Sequence, residues 1–362
     1  MSIIHQIGLT LIPGVGHVTA KNLLGHFGSA EAVFNAKHKE LLAVPGVGQV
    51  TASQITGNNT LFLAEEQLKA IEKQQIEVLF FTDDHFPRRL RECSDAPILL
   101  YYKGNANLNH PRIISVVGTR MATDYGKQIC ALLAETLKPY GVLIVSGLAY
   151  GIDVAAHRES LKQGIPTIGV LGHGLDRIYP YHHQKIALDM LDHGGLLTEF
   201  PFNTMPDRDN FPKRNRIIAG IADATVVVEA SLKGGALITA DIANSYDRDV
   251  YAFPGRMKDE YAQGCNFLIK TNRAALMSHP KDLINYMAWD EVELVKTYQT
   301  QLPLGLSADE MKVLDVLKIT PLLIDEIAIK VNIPQKKLAI HLLNLEMQGV
   351  LSALPGKIYK LN

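Results

Sequence analysis

At 362 residues, with 47% hydrophobic and 20% charged side chains, the chain has room for two or three domains and is too apolar for long disorder. A formal net charge of −1 excludes a protein-wide basic field, so any polyanion must meet a local patch. Cys93, Cys130 and Cys265 lack metal-ligand spacing and are expected reduced. With no leader-like start and no apolar run near the roughly 20 residues of a membrane span, a cytoplasmic protein is expected.

Residues 1–66 carry an internal repeat. Ile12-Pro13-Gly14-Val15-Gly16 recurs as Val44-Pro45-Gly46-Val47-Gly48, each copy followed by a helix-like run, Thr19–His26 and Thr51–Ile55. The glycines permit a tight turn and the valine can plug the gap between two helices, which predicts a helix-hairpin-helix/SAM-like domain. Three cations in residues 1–60 (Lys21, Lys37, Lys39) face two acids (Glu31, Glu40), a thin charge for gripping a duplex. DNA contact and a structural or protein-docking role both stay open. Residues 67–111 are taken as a connecting segment.

From 112 to 288, short apolar runs alternate with helical patterns. Strands are expected at Ile113–Val117, Val142–Val145, Thr167–Leu171, Leu196–Thr198, Thr225–Glu229 and Val250–Phe253. Helices are expected at Tyr125–Pro139, Asp153–Gln163, Tyr181–His193, Lys213–Gly220 and Ile238–Tyr246. This alternation predicts an α/β fold with a Rossmann-like, doubly wound parallel sheet. Polar residues 289–302 are taken as a linker. Residues 303–362 give helices at Ser307–Leu317, with a Ser307/Glu310 capping box, at Ile324–Val331, and from Pro334 to Met347 before Gly349. Strands Val350–Leu354 and Ile358–Leu361 flank Pro355-Gly356. That is the order of a winged helix-turn-helix. Its seven lysines face six acids, so duplex DNA and protein are both open as partners.

Ligands of open α/β sheets bind beyond the carboxyl ends of the strands. Four segments fall there: Gly118-Thr119-Arg120, Ser146 to Asp153, the basic turn Phe211-Pro212-Lys213-Arg214-Asn215-Arg216, and Lys233-Gly234-Gly235-Ala236. Gly118 lets a ligand approach the backbone, Arg120 can fork onto a phosphate, and helix-start amides bind anions. In the basic turn, three cations crowd a helix start, where they repel each other and oppose the dipole. An anion there makes sense of them. The alternative is that Arg214 or Arg216 pairs with a carboxylate such as Glu199 or Glu229. Phe211 either stacks on a base or lies under the turn.

The dinucleotide fingerprint, a P-loop, G-x-S-x-G and H-E-x-x-H are absent from the sequence. Asp153 and His157 share a helix face and read as a cap plus a structural hydrogen bond, with an acid–base pair as the sharper alternative. His182-His183 makes a poor metal pair. No catalytic residue, metal or cofactor is expected.

These segments resemble the Rossmann domain of the DprA/Smf (DNA-processing protein A) family. The likeness runs through Val116–Arg120, Tyr125-Gly126, Val145–Ala149, Gly151–Asp153, Ala156-His157, Gly172, Gly174–Asp176 and Tyr179-Pro180. It continues at Glu199, Phe211–Ile218, Val228–Ala230, Gly235, Ile238–Ala240, Pro254-Gly255 and Gly264. Thr119 stands where many members have Ser, and Gly234-Gly235 where Ser-Gly is common. Both keep the loop small. The resemblance implies single-stranded DNA binding, protection of incoming strands in natural transformation, and loading of the RecA recombinase onto DNA coated by single-strand-binding protein. It also implies a homodimer without enzymatic activity. It assigns the DNA pocket to Arg120, to Phe211, Lys213, Arg214, Asn215 and Arg216, and to Gly235. Two rivals remain. One is a protein-docking scaffold. The other is a nucleotide phosphoribohydrolase-like enzyme, whose P-G-G-x-G-T loop with following glutamates is here Lys233–Thr239 followed by Ala240 and Asp241.

Overall fold

The computed structural model describes residues 2–57, 60–289, 306–318, 321–348, 350–354 and 357–361. Contacts divide the chain into two units, residues 1–287 and 288–362.

The first unit opens with six helices: α1 (Ile3–Leu11), α2 (His17–Phe27), α3 (Ala30–Asn35), α4 (His38–Leu41), α5 (Gln49–Gly57) and α6 (Thr60–Lys73). The repeated pentapeptides form the turns between α1 and α2 and between α4 and α5. Gly14 and Gly46 take φ of +80° and +85°, a region that favours glycine. Val47 is buried and Val15 half-buried, as plugs between the helices. Asn22 Nδ2 donates to Pro45 O (3.0 Å), tying the two hairpins together. Lys21 Nζ donates to Ser94 O (3.2 Å), which fastens α2 to the core domain.

The core alternates β1 (Glu77–Phe80), α7 (Arg88–Arg91), β2 (Leu99–Gly104), β3 (Ile113–Val117), α8 (Asp124–Leu137), β4 (Leu143–Ser146), α9 (Ile152–Gln163), β5 (Thr167–Val170), α10 (Gln184–Asp192), β6 (Gly194–Thr198), α11 (Asn210–Ile221), β7 (Ala224–Val227), α12 (Gly235–Ser245), β8 (Asp249–Ala252), α13 (Gln263–Lys270), β9 (Ala275–Leu276) and α14 (Lys281–Tyr286). All six expected strands are present, with ends shifted by at most two residues. They are buried almost throughout, as continuous apolar runs require when helices cover both faces. Strand order is β1-β2-β6-β5-β4-β3-β7-β8-β9, parallel from β6 to β9. The chain moves outward from β3 to β6 and then returns to place β7 on the other side of β3. The topological switch point therefore lies between β3 and β7.

The sheet extends into the stretch taken as a connecting segment. β2 pairs antiparallel with β6 (Tyr101↔Thr198) and β1 pairs antiparallel with β2. Arg89 anchors this extension. Its Nε and Nη2 reach the two Asp223 oxygens (2.5 and 3.0 Å), and Asp223 Oδ2 also accepts from the Ile113 amide (2.8 Å).

The second unit contains α15 (Ala308–Leu317), β10 (Leu322–Leu323), α16 (Ile324–Val331), α17 (Gln335–Met347), β11 (Leu351–Leu354) and β12 (Ile358–Leu361), with strands in the order β10-β12-β11. The capping box forms: Glu310 N donates to Ser307 Oγ (3.3 Å) and Ser307 N to Glu310 Oε2 (2.8 Å). Val313, Ile327, Leu338, Leu342 and Leu345 make its core. The expected linker beyond Trp289, the Gly349 stop and the Pro355-Gly356 turn lie outside the described residues.

Candidate nucleic-acid interface

Arg120, Phe211 and Arg214 meet at the carboxyl edge of the parallel sheet, in a small pocket of about 40 Å³ shared with Tyr150, His173 and Tyr179. The loops after β3, β4 and β5 and the start of α11 build it. Arg120 is exposed, and its guanidinium carbon lies 5.5 Å from the Phe211 ring centroid. Tyr179 stacks on the same ring at 6.0 Å and 30°. Phe211 is half-buried and seated on Gly172, where a Cβ would come within 2.9 Å of its Cδ1. The packing expectation for Phe211 thus holds in part: one side of the ring packs and the rest is open. Tyr150 and Tyr179 are 46% and 50% exposed, so the pocket mouth is a set of accessible aromatic faces beside a free cation. Such a surface suits unpaired bases on a phosphate backbone.

The basic segment is not a turn. α11 begins at Asn210, so Phe211 to Arg216 form its first turns. Pro212 is tolerated there because a first-turn amide has no intrahelical partner to lose. Helical rotation then sends the three cations to different places. Lys213 is exposed and Asn215 half-buried. Arg214 is buried, on the face of Ile217, Ile218 and Ile221, and its Nη1 donates to Val170 O (2.7 Å). Burial disfavours its charge, the Asp153 carboxylate supports it, and Arg120 opposes it. Arg216 pairs with Glu199 and donates to Asp95 O. The expectation that all three cations serve phosphates is corrected. Arg216 takes the carboxylate alternative, with Glu199 as its partner. Arg214 is an internal charge that reaches the pocket from below.

The glycines also divide. A Cβ on Gly118 would fall 2.4 Å from Ile152 Cγ1, so α9, rather than a ligand, makes the close approach there. Gly235 is exposed with nothing within 4 Å, and Gly234 caps α12. Neither lines the aromatic pocket, although their loop abuts the first one through Thr119 N donating to Glu229 O (2.7 Å).

Sequence reasoning named the loop that carries Tyr150 without singling out its side chain, and passed over Tyr179 and His173 as pocket residues. The available signal was that each lies in a glycine-bearing loop directly after a strand.

Asp153 and His157 are supports for this edge. Asp153 is buried and accepts from Ala149 N (3.3 Å). Burial raises its pKa, and Arg214 pulls it back. His157 is fully buried between Gly147 O (2.6 Å) and Thr167 Oγ1 (2.7 Å), and burial lowers its pKa to about 4. His183 Nδ1 donates to Leu148 O (2.9 Å), while His182 Nδ1 shares a hydrogen bond with the Tyr150 hydroxyl (3.1 Å). The two adjacent histidines therefore serve different partners. Glu229 accepts from Thr123 N and Oγ1 (2.9 and 2.5 Å), which occupies both its oxygens at the start of α8.

A larger cavity of about 950 Å³ opens on the other flank of the switch point, beside Tyr125, Phe253 and Tyr261. Its cations Arg256 and Lys258 are outnumbered by Glu229, Asp259 and Glu260, so it offers no net positive charge to a polyanion. In the second unit, the outer face of α17 carries exposed Ile340, Leu343 and Met347 (58, 55 and 81%), an apolar surface unlike a phosphate-contacting one.

This is a Rossmann-type α/β protein with accessory helical modules and a cationic aromatic pocket at its sheet edge, and comparison with known proteins gives it a family. The chain belongs to the DNA recombination-mediator protein A (DprA/Smf) family, which matches residues 77–288. Residues 7–56 match a SAM-like helix-hairpin-helix tandem and residues 299–357 the DprA winged helix domain. The chain is 32% identical to Protein Smf of Synechocystis sp. over 96% of both chains. It is 33% identical to Protein Smf of Escherichia coli over 82% of this chain and 80% of that one. The X-ray structure of DNA processing protein A from Streptococcus pneumoniae superposes with a TM-score of 0.70 at 30% identity, covering 79% of this chain and 98% of that one. The protein from Helicobacter pylori, whose structure is described for its unique single-stranded DNA binding mode, superposes with a TM-score of 0.54 at 29% identity, covering 60% and 97%. Among the described residues, no helix is long and apolar enough to cross a membrane.

Proposed function

We propose that the pocket of Arg120, Phe211, Tyr179 and Tyr150 binds single-stranded DNA, and that the protein is a cytoplasmic recombination mediator. In this reading it protects incoming strands and loads RecA onto DNA coated by single-strand-binding protein during natural transformation, acting as a homodimer without catalysis. The observation that carries the reading is the exposed Arg120 guanidinium set against a half-open aromatic stack on the carboxyl sheet edge. Aromatic faces accept any base, and Arg120 with Lys213 supplies phosphate charge, which is the requirement for sequence-tolerant strand binding. The hydrolase alternative is disfavoured because Ala240 and Asp241 stand where its glutamates follow the loop, and Glu229 already spends both oxygens on Thr123. Titrating a labelled single strand and the matching duplex across salt tests the proposal. Binding that prefers the single strand and weakens with salt supports it. Salt-independent binding, or none, overturns it.

A further inference from the structure

The aromatic pocket holds about 40 Å³, room for only a few water molecules. A nucleobase cannot sink into it, so a strand must lie across its mouth. The residues around the rim then decide how many nucleotides are held. On one side the rim continues along the chain. Tyr179 and Pro180 line the pocket and lead directly into the helical turn Tyr181–His183, which opens into α10. Tyr150, also in the pocket wall, touches the same turn. Its hydroxyl and His182 Nδ1 share a hydrogen bond (3.1 Å), and its ring meets the His183 ring edge-on at 4.8 Å.

This stretch of rim is accessible, aromatic and cationic. Tyr181 is 75% exposed, and His182 and Lys185 are exposed close by in sequence. No carboxylate occurs from Tyr179 to Leu188, and the first, Asp189, stands a full helical turn beyond Lys185. The turn is also anchored: the buried His183 donates Nδ1 to Leu148 O (2.9 Å), which ties it to the loop after β4. A tyrosine this exposed gains little from burial, so packing does not account for its place beside the pocket. A strand already seated on Phe211 and Arg120 does account for it. Its next base can stack on an open ring whatever its identity, and its phosphate finds a cation within one helical turn.

We propose that the turn Tyr181–His183 and Lys185 form a second subsite for single-stranded DNA, adjoining the aromatic pocket. The nucleotide next to the one over Phe211 lies on Tyr181 and His182, with its phosphate on Lys185. The proposal rests on the single-strand reading above and extends the footprint of the strand towards α10.

The test measures anisotropy of labelled oligo-dT in a length series from about four nucleotides upward, on the full chain. Tyr181→Ala and Lys185→Ala are compared with the unsubstituted protein, leaving His182 in place so that Tyr150 keeps its partner. Both side chains are exposed, and circular dichroism melts should coincide with that of the unsubstituted protein. Tyr181→Ala is expected to weaken binding of the longer strands at least about five-fold, the worth of one stacked base, and to spare the shortest strand that binds. Lys185→Ala should reduce the salt slope of the longer strands by about 0.7. A strand carrying 5-iododeoxyuridine should photocrosslink to Tyr181 or His182. Unchanged affinity and slope at every length overturn the subsite and leave the single-strand function standing. An equal loss at every length makes the turn part of the first pocket, and overturns a separate subsite too. An unsubstituted protein that binds no strand overturns the single-strand function itself, and this subsite with it.

Discussion

The Arg120 guanidinium, from the loop after β3, and the Phe211 ring, from the first turn of α11, lie 5.5 Å apart in one pocket. Phe211→Ala is expected to weaken single-strand binding by about 1–3 kcal/mol through lost base stacking. Arg120→Ala should shorten the salt slope by roughly 0.7, the share of one phosphate on a single strand. Because the two side chains touch, the double variant should lose less than the sum of the singles. Anisotropy across a salt series measures all three.

Lys213 and Arg214 are neighbours in sequence and should behave as opposites. Lys213→Ala removes an exposed charge and is expected to lower DNA affinity without moving the unfolding midpoint. Arg214→Ala leaves the buried Asp153 carboxylate without its nearby cation, and should cost about 3 kcal/mol or more of stability. Urea unfolding of both variants separates the two roles.

Gly118→Ala and Gly235→Ala test which glycine the fold itself demands. At Gly118 the added carbon meets Ile152 Cγ1 at 2.4 Å and Glu229 O at 2.9 Å, a clash expected to cost about 1–3 kcal/mol. At Gly235, the first residue of α12, it meets nothing, and better helix propensity should raise stability by up to about 1 kcal/mol. Thermal melts should therefore move in opposite directions.

His157 makes part of the stability pH-dependent. Its folded pKa is about 4, below the ordinary 6.5, because burial penalises the imidazolium beside His183 and Arg214. The unfolded chain takes up this proton as pH falls through 6.5, while the folded chain resists until about 4. The contribution is complete above pH 6.5 and is lost as pH drops towards 4, by up to about 3 kcal/mol. Urea unfolding at several pH values in that window should show a steeper loss for the unsubstituted protein than for His157→Gln.

The strand Ile113–Val117 was fully legible because an apolar run is bounded by Pro111-Arg112 before it and Gly118 after it. The strands Glu77–Phe80 and Leu99–Gly104 were not. They pair with each other, and only Leu99–Gly104 joins the main sheet, through a partner far along the chain in the pairing Tyr101↔Thr198. The start of α11 was misplaced because Pro212 reads as a break, yet it sits in the first turn. The burial of Arg214 had a usable signal: Ile217, Ile218 and Ile221 stand three, four and seven residues on, which puts the arginine on the core stripe. The pairing of Arg216 with Glu199 appeared only as an alternative, since no local pattern says which distant carboxylate a cation will meet.

The sequence by itself determined the doubly wound sheet, the two hairpins, the winged helix and the loops that reach the carboxyl edge. Those follow from periodicity and from glycine and proline punctuation, which act over a few residues. Only the tertiary structure decided the fate of the three cations on α11. Each step along a helix turns about 100°, so Lys213 faces solvent, Arg214 the core and Arg216 the Glu199 carboxylate. Which of them remains free for a phosphate depends on what the rest of the chain packs against each face.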